Sequence, residues 1–282
     1  MKLTSFARGG APSWGAVVDG GIVDLGKAMG GKYPTLRSAI EGNALKEAAA
    51  AADGASPDAS LDEVTLLPVI PDPDKILCVG LNYKSHIEET GRSDSDYPTI
   101  FTRFTNTQVG HGQPMIRPKD SDNYDYEGEL ALIIGTGGRH ISEADALKHI
   151  AGYSCYNDGS IRDWQRHTSQ FTPGKNFPGT GGFGPWMVTA DEIPDPASMH
   201  LMTRLNGEVM QDATTDLLVF TVPVLIHYIS TFTELVPGDV IVTGTPGGVG
   251  FKRNPPVFMK DGDTVEIEID KIGILSNPIA DE

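Results

Sequence analysis

Two glutamates, Glu127 and Glu129, stand directly before the apolar run from Leu130 to Ile134. The run predicts a buried strand, and residues two apart on a strand point to the same face. Both carboxylates are therefore aimed at the edge of a hydrophobic core, where two adjacent negative charges are costly. A third carboxylate, Asp158, ends another apolar run at 150–157. Since carboxylate oxygens are the preferred ligands of hard divalent cations, the pattern predicts an Mg²⁺ or Mn²⁺ site.

A histidine and a glutamate precede this region along the chain. His86 and Glu89 stand three positions apart in a polar segment, so on a helix the carboxylate reaches the imidazole. Such a pair can draw a proton from water. The spacing alone leaves an exposed polar helix without any catalytic role as the alternative.

Asp158, Arg162 and Gln165 recur at helical spacing, so they share one face if residues 158–165 form a helix. Arg162 can then balance the carboxylate or clamp an anionic group through two parallel hydrogen bonds. An ordinary surface ion pair of little energetic weight is the alternative.

Two further residues have side chains suited to an anionic substrate. Lys175 lies in a turn-like segment where its ammonium can stabilise an oxyanion, although loop lysines are commonly just solvated. Thr245 lies in a glycine-rich segment after an apolar strand, where its hydroxyl and nearby backbone N–H groups can hold a carboxylate. A simple exit from strand to turn is the alternative for Thr245.

The composition limits the class of protein in which these residues act. Of 282 residues 39% are hydrophobic, enough for a sizeable core, and the net charge is −16. Nucleic acid is a poor partner for that charge, and an anionic substrate would need a local basic pocket. No apolar stretch reaches the ~18 residues of a membrane span, and residues 1–10 lack the apolar middle of a signal peptide. The sequence predicts a soluble, cytoplasmic protein in which Cys78 and Cys155 are buried.

The elements that must position the candidate residues are mostly short strands. The pattern predicts a mixed α/β, β-rich fold with a small domain at 1–67, and prolines at 68, 71 and 73 mark its boundary with a larger domain at 74–282. Helices are predicted at 35–52 and 222–232, the second with an apolar stripe from Val222 to Phe232. The predicted strands are at 76–79, 99–103, 130–134, 150–157, 186–189, 199–205, 240–243 and 264–269.

Several motifs occur together in a fixed order, and the sequence from Asp74 onward thereby resembles the fumarylacetoacetate hydrolase family. They are Asn82-Tyr83-x-x-His86-x-x-Glu89, Asp125-Tyr126-Glu127-x-Glu129-Leu130, Asn157-Asp158-x-x-x-Arg162-Asp163-x-Gln165, Gly174-Lys175, Gly184-Pro185 and Thr243-Gly244-Thr245-Pro246-x-Gly248-Val249. The segment Arg162–Gln170 is similar to the acylpyruvate hydrolase branch, which includes fumarylpyruvate and maleylpyruvate hydrolases.

The resemblance implies a β-roll catalytic domain behind a small N-terminal α+β domain, a homodimer, and bound Mg²⁺ or Mn²⁺, with Ca²⁺ as a further option. It also implies roles for the residues that match the motifs. These are metal ligation by Glu127, Glu129 and Asp158, a water-activating dyad of His86 and Glu89 on a lid-like segment, an active-site lysine at Lys175, and binding of the pyruvate-like end of the substrate by Arg162, Gln165 and Thr245.

The activity that the resemblance implies is hydrolysis of a carbon–carbon bond in an acylpyruvate, a small anionic 2-oxo acid, to pyruvate and a carboxylic acid in aromatic-acid breakdown. Decarboxylation of oxaloacetate, or a hydroxymuconate-type isomerisation or decarboxylation, at the same metal are alternatives. A non-catalytic β-rich module that binds Ca²⁺ is a remote alternative, because it leaves His86 and Lys175 without a role.

Overall fold

The structure is a computed structural model that describes residues 1–93 and 95–282. Its helices are α1 Leu25–Ala28, α2 Leu36–Glu41, α3 Leu45–Ala52, α4 Lys84–Thr90, α5 Arg162–Gln165, α6 Thr172–Lys175 and α7 Val222–Phe232. Short 3₁₀ turns occupy Leu61–Glu63, Thr105–Thr107, Ala146–His149, Thr215–Leu217 and Gly250–Lys252.

Strands make up most of the remaining regular structure, and the mixed α/β, β-rich fold is confirmed. They are β1 Lys2–Arg8, β2 Ala11–Val18, β3 Gly21–Asp24, β4 Ala59–Ser60, β5 Thr65–Leu66, β6 Ile76–Gly80, β7 Thr99–Thr102, β8 Gln108–Val109, β9 Met115–Arg117, β10 Tyr124–Asp125, β11 Gly128–Ile134, β12 Ile150–Asn157, β13 Ser160–Ile161, β14 Gly181–Thr189, β15 His200–Leu205, β16 Glu208–Thr214, β17 Val240–Val242, β18 Thr264–Ile269 and β19 Gly273–Asp281.

One twelve-stranded sheet carries the site. Its main path is β4-β3-β2-β1-β14-β12-β11-β17-β6-β7, and a five-stranded sheet, β16-β15-β18-β19-β9, lies beside it. The N-terminal strands extend the large sheet through the antiparallel pair β1 and β14. The division into domains at 1–67 and 74–282 stays a prediction.

The strand β11 is buried on both faces, which explains its uninterrupted apolar sequence. Leu130, Leu132 and Ile134 pack into one core cluster together with α7, and Ala131 and Ile133 pack into a second cluster with the N-terminal helices. This alternation is the two-residue period of a strand, and it fixes the direction of the acidic residues at the start of β11.

One helix prediction needs correction, and in another the apolar stripe is shorter than predicted. The segment 35–52 forms two helices, because α2 ends at Glu41 with Gly42 as its C-cap, and Asn43 adopts a left-handed conformation with φ 52°. The helix at 222–232 is confirmed with its predicted bounds. Its last residue, Phe232, is 54% exposed and lies outside the buried stripe, because the core ends before the final turn.

Candidate active site

The candidate site lies at one end of the central strands of the large sheet. β11 and β12 are antiparallel with Gly128 opposite Asn157, so the start of β11 lies beside the end of β12. β17 is antiparallel to β11 and parallel to β6. The segments after β17 and β6 therefore leave the sheet at this same end, and the strand order brings Glu127, Glu129 and Asp158 together.

The three predicted carboxylates converge. Glu127, Glu129 and Asp158 each place a carboxylate oxygen within 4.8 Å of the others, and all three side chains are buried. A fourth buried carboxylate, Asp125, lies in the same network.

Three buried cations, Arg103, Arg162 and Lys175, form ion pairs with Asp125, Glu127 and Asp158 but not with Glu129, so one negative charge is uncompensated within the described cluster. An all-oxygen donor set with excess negative charge fits a hard divalent cation. The cluster can therefore bind a metal ion.

Lys175 ends the short helix α6, and its ammonium lies between two of the carboxylates. Nζ is 2.7 Å from Glu127 Oε2 and 2.6 Å from Asp158 Oδ2. Burial lowers the pKa of Lys175, but the two carboxylates outweigh that effect and raise it. The lysine is buried and charged, so the alternative of a solvated loop lysine is excluded.

The surroundings of Glu127 and Glu129 shift their pKa values in opposite directions. Burial opposes ionisation of Glu127, but Arg162 and Lys175 overcome it and lower the pKa of Glu127 to about 2. Burial, together with the Asp158 and Glu127 charges, raises the pKa of Glu129 well above its ordinary value. Glu129 accepts a backbone hydrogen bond from Gly244, whose φ of +108° suits glycine. Glu129 is therefore the carboxylate with the greatest need for added positive charge.

The spacing in the sequence predicts Asp158 as the partner of Arg162, but Arg162 binds two other carboxylates. Its Nε donates to Asp125 Oδ2 at 2.8 Å, and its Nη2 is 2.7 Å from Glu127 Oε1. The segment 158–165 is not one helix, because the chain forms β13 before α5 begins at Arg162. Arg162 also donates to Gln165 Oε1 at 3.0 Å, so those two residues do act together.

The sequence interpretation did not find Arg103, which is the partner of Asp158. Its Nη1 donates to Asp158 Oδ1 at 2.6 Å and to the Gly159 carbonyl at 2.8 Å, and its Nη2 donates to the Thr180 hydroxyl at 2.8 Å. The only signal in the sequence was a cation at the end of the predicted strand 99–103. Such a residue is ordinarily exposed, so the signal was weak.

The predicted dyad forms on α4. His86 Nδ1 lies 2.7 Å from Glu89 Oε1, and Glu89 Oε2 accepts from the Gly248 N–H at 2.9 Å. With Nδ1–H donating to the carboxylate, the Nε2 atom is left as the basic nitrogen. His86 is buried and lines the same cavity as Glu127 and Glu129, so the spacing of three did bring imidazole and carboxylate together.

Thr245 lines the cavity, but its hydroxyl is bound to the scaffold. It donates to the Gly128 carbonyl at 3.0 Å and accepts from Gln211 Nε2 at 2.7 Å. The Thr245 side chain therefore holds the end of β17 against the start of β11, next to Glu129.

The cavity that joins these groups has a volume of about 330 Å³. Glu127, Glu129, Arg162, Lys175 and His86 all line it. Phe101 and Phe171 form an apolar wall, with their rings packed edge to face at 5.7 Å. Such a cavity suits a small organic acid whose polar end meets charged groups and whose body meets aromatic surface.

The fold and the site together define a metal-dependent enzyme class, and comparison with known proteins identifies it. Residues 75–280 match the family described as fumarylacetoacetate (FAA) hydrolase C-terminal. The chain belongs to the fumarylacetoacetate hydrolase family.

Individual relatives cover nearly the whole chain. The mitochondrial oxaloacetate tautomerase fahd2 of Xenopus laevis is 39% identical over 99% of this chain and 90% of that protein. The structure of a putative HpcE protein from Mycobacterium smegmatis has 36% identity and a TM-score of 0.91, with 100% of this chain and 99% of that chain covered. Maleylpyruvate hydrolase from Sphingobium sp. SYK-6, solved with manganese(II) and pyruvate, has 29% identity and a TM-score of 0.83, with 100% of this chain and 99% of that chain covered. No helix among the described residues is long and apolar enough to cross a membrane.

Proposed function

We propose that the protein transfers protons at the carbon next to the carbonyl of a small 2-oxo acid, as in keto–enol tautomerisation of oxaloacetate. The observation that carries the proposal is that His86, paired with Glu89, opens into the same cavity as Glu127, Glu129 and Lys175. A base and a cationic site for a 2-oxo acid are then present together, which is what this reaction class needs.

The residues have separate roles in this proposal. Glu127, Glu129 and Asp158 hold Mg²⁺ or Mn²⁺, which when bound supplies Lewis-acid polarisation of the 2-oxo acid. Arg162 and Gln165 bind and orient the carboxylate at the 2-oxo end.

Lys175 contributes fixed positive charge beside the carbonyl oxygen. His86, held by Glu89, takes the proton from carbon 3 and returns one, so a single proton moves between carbon 3 and the oxygen on carbon 2. No water is consumed.

The tautomerase assignment is supported by relatives. Curated proteins named oxaloacetate tautomerases are 38–43% identical to this chain, including the human protein FAHD2A at 42% over 77% of this chain. Tautomerisation requires only a positioned base and a stabilised enolate, and the site offers both.

Hydrolysis of an acylpyruvate is the second candidate, and the likeness to maleylpyruvate hydrolase favours it. In that reaction His86 activates a water molecule, hydroxide adds to carbon 4, the bond between carbons 3 and 4 breaks, and carbon 3 gains a proton. The products are pyruvate and a carboxylic acid. The same dyad serves both reactions, because each begins with removal of a proton by His86.

Three assays on one Mn²⁺-loaded preparation separate the candidates. Decay of enol-oxaloacetate absorbance without pyruvate release supports the tautomerase. Release of pyruvate and a carboxylic acid from fumarylpyruvate or acetylpyruvate supports the hydrolase, and release of pyruvate from oxaloacetate supports a decarboxylase. No turnover of any of these substrates would refute the proposal.

Replacement of the base gives the first residue-level prediction. His86→Gln should lower kcat about 10²–10⁴-fold, because general-base catalysis contributes that much, while Mn²⁺ binding measured by calorimetry stays near wild type. The exposed His140→Gln is the matched control and should keep full activity. Undiminished turnover in His86→Gln would exclude a catalytic role for the His86–Glu89 pair.

The predicted homodimer and the predicted cytoplasmic location stay predictions.

A further inference from the structure

The outer part of the cavity carries positive charge that the roles above do not use. Arg92, Arg166 and Lys252, here called the cationic rim, line the cavity together with the site residues. Across residues 1–93 and 95–282, none of the three forms an ion pair with a carboxylate. In a protein with a net charge of −16, three such cations around one cavity call for a physical reason.

An aromatic ring holds part of the cationic rim in place. The Arg166 guanidinium carbon lies 4.5 Å from the centre of the Phe251 ring, and Lys252 Nζ lies 5.5 Å from it. The backbone N–H of Phe251 donates to the buried Asp125 at 3.1 Å, which fixes the ring relative to the site. Arg92 lies 5.6 Å from the Phe171 ring on the apolar wall. Cation–π contacts of this kind position a charge without neutralising it.

In the cationic rim, Arg166 is repelled by the positive charges near it. Partial burial and the neighbouring Arg162 and Arg92 guanidiniums lower the pKa of Arg166. Arg162 already has Asp125 and Glu127 as partners, whereas Arg166 has none of them within ion-pair distance. An anion between Arg166 and its neighbours would remove this repulsion.

We propose that the cationic rim is a second anion subsite, which binds a carboxylate at the far end of the 2-oxo acid, and that Arg166 is its specificity-determining residue. This inference rests on the proposed function, since it places the 2-oxo end at Arg162 and the acidic cluster. The preferred substrates are then 2-oxo dicarboxylates, and 2-oxo monocarboxylates are bound more weakly.

General electrostatic steering is the competing explanation. Exposed cations at a cavity mouth raise the association rate of every anionic ligand, with a strong dependence on salt. Steering acts on every anion in proportion to its charge and is screened by salt, whereas a subsite contacts the far carboxylate directly and keeps its preference for that group at high salt.

Binding of matched ligand pairs to the Mg²⁺-loaded protein distinguishes the two. Titration calorimetry at 150 mM salt, repeated at roughly 500 mM salt where long-range attraction is screened, would compare 2-oxoglutarate with 2-oxopentanoate, and 2-oxoadipate with 2-oxohexanoate, so that each pair has one chain length. A charge-assisted contact predicts that the dicarboxylate of at least one pair binds roughly tenfold tighter or more.

Variants assign that preference to Arg166. Arg166→Gln should reduce the preference about tenfold, Arg166→Lys should retain part of it because the charge remains, and the remote surface control Arg8→Gln should keep it. Equal binding within both wild-type pairs overturns the subsite. A preference that disappears at the higher salt concentration assigns the rim to steering and also overturns the subsite. An Arg166→Gln effect of the same size on both members of a pair overturns it as well. A clear preference without turnover of any 2-oxo acid would refute the proposed function and leave the subsite intact.

Discussion

At the scale of single residues, the candidate site depends on carboxylates whose two oxygens are bound by different cations. Asp158 has one oxygen on Arg103 and the other on Lys175, and Glu127 has one oxygen on Arg162 and the other on Lys175. Buried carboxylates are tolerated only when charges and hydrogen bonds satisfy them. The cations therefore orient these carboxylates as well as neutralising them.

The buried Arg103–Asp158 pair gives a stability prediction. Arg103→Met should lower the free energy of unfolding by about 3–5 kcal/mol, because it removes one of the two cations that compensate the buried Asp158 carboxylate and leaves the Gly159 carbonyl without its donor. Arg103→Lys keeps the charge and should cost less. Arg117→Met, which breaks a partly exposed pair with Asp281, is the control and should cost at most about 1 kcal/mol. Urea unfolding measures all three, and equal losses for Arg103→Met and Arg117→Met would contradict the buried-pair argument.

At the scale of elements, the site forms where several strands end together. Glu127 directly precedes β11, Glu129 lies within it, and Asp158 directly follows β12. The segment after β17 supplies Thr245, and the segment after β6 leads into α4 with His86. Strands are rigid because both faces of this sheet are packed, so their ends hold functional groups at fixed separations. The amphipathic helix α7 covers one of those faces.

The packing of α7 gives a prediction with its control in the same helix. Ile226 is fully buried and Phe232 is 54% exposed. Ile226→Ala should cost about 2–5 kcal/mol of unfolding free energy, because it removes buried methyl groups and leaves a cavity. Phe232→Ala should change stability by roughly 0.5 kcal/mol or less. Thermal or urea unfolding measures the stability of both variants. A comparable loss of stability in the two would contradict the assignment of Phe232 to the exposed end of the helix.

At the scale of the whole molecule, segments far apart in sequence bind one another and their contacts respond to pH. His111 connects a loop to β19, where its Nδ1 accepts from the Ser276 N–H at 3.1 Å. Burial, only partly opposed by a hydrogen bond to the Ile274 carbonyl, lowers the pKa of His111 below its ordinary 6.5. A histidine that is harder to protonate in the folded state favours folding while it is neutral.

The sign of this effect gives a prediction for stability against pH. Above pH 6.5 the contribution of His111 is fully present, and as pH falls below 6.5 the unfolded chain takes up the proton first, so stability decreases. His111→Gln keeps an acceptor for Ser276 but does not titrate. The difference in unfolding free energy between wild type and this variant should therefore become less favourable to wild type between pH 7.5 and pH 5.5. A difference that stays constant over this interval would show that His111 titrates alike in both states.

The sequence by itself determined the features that depend on local periodicity. The two-residue period of β11 placed Glu127 and Glu129 on one face, the spacing of three placed Glu89 beside His86, and the apolar stripe placed α7. These features involve neighbours along the chain, whose relative geometry is set by the backbone. The ordered motifs, in turn, identified the family.

Only the tertiary structure decided which charges meet. Arg103 and Asp158 are 55 positions apart, and Arg162 binds Asp125, 37 positions away, instead of Asp158. The cationic rim likewise joins Arg92, Arg166 and Lys252 from three distant segments. Such contacts depend on strand order and on the competition of several carboxylates for each cation, and no local pattern in the sequence encodes either.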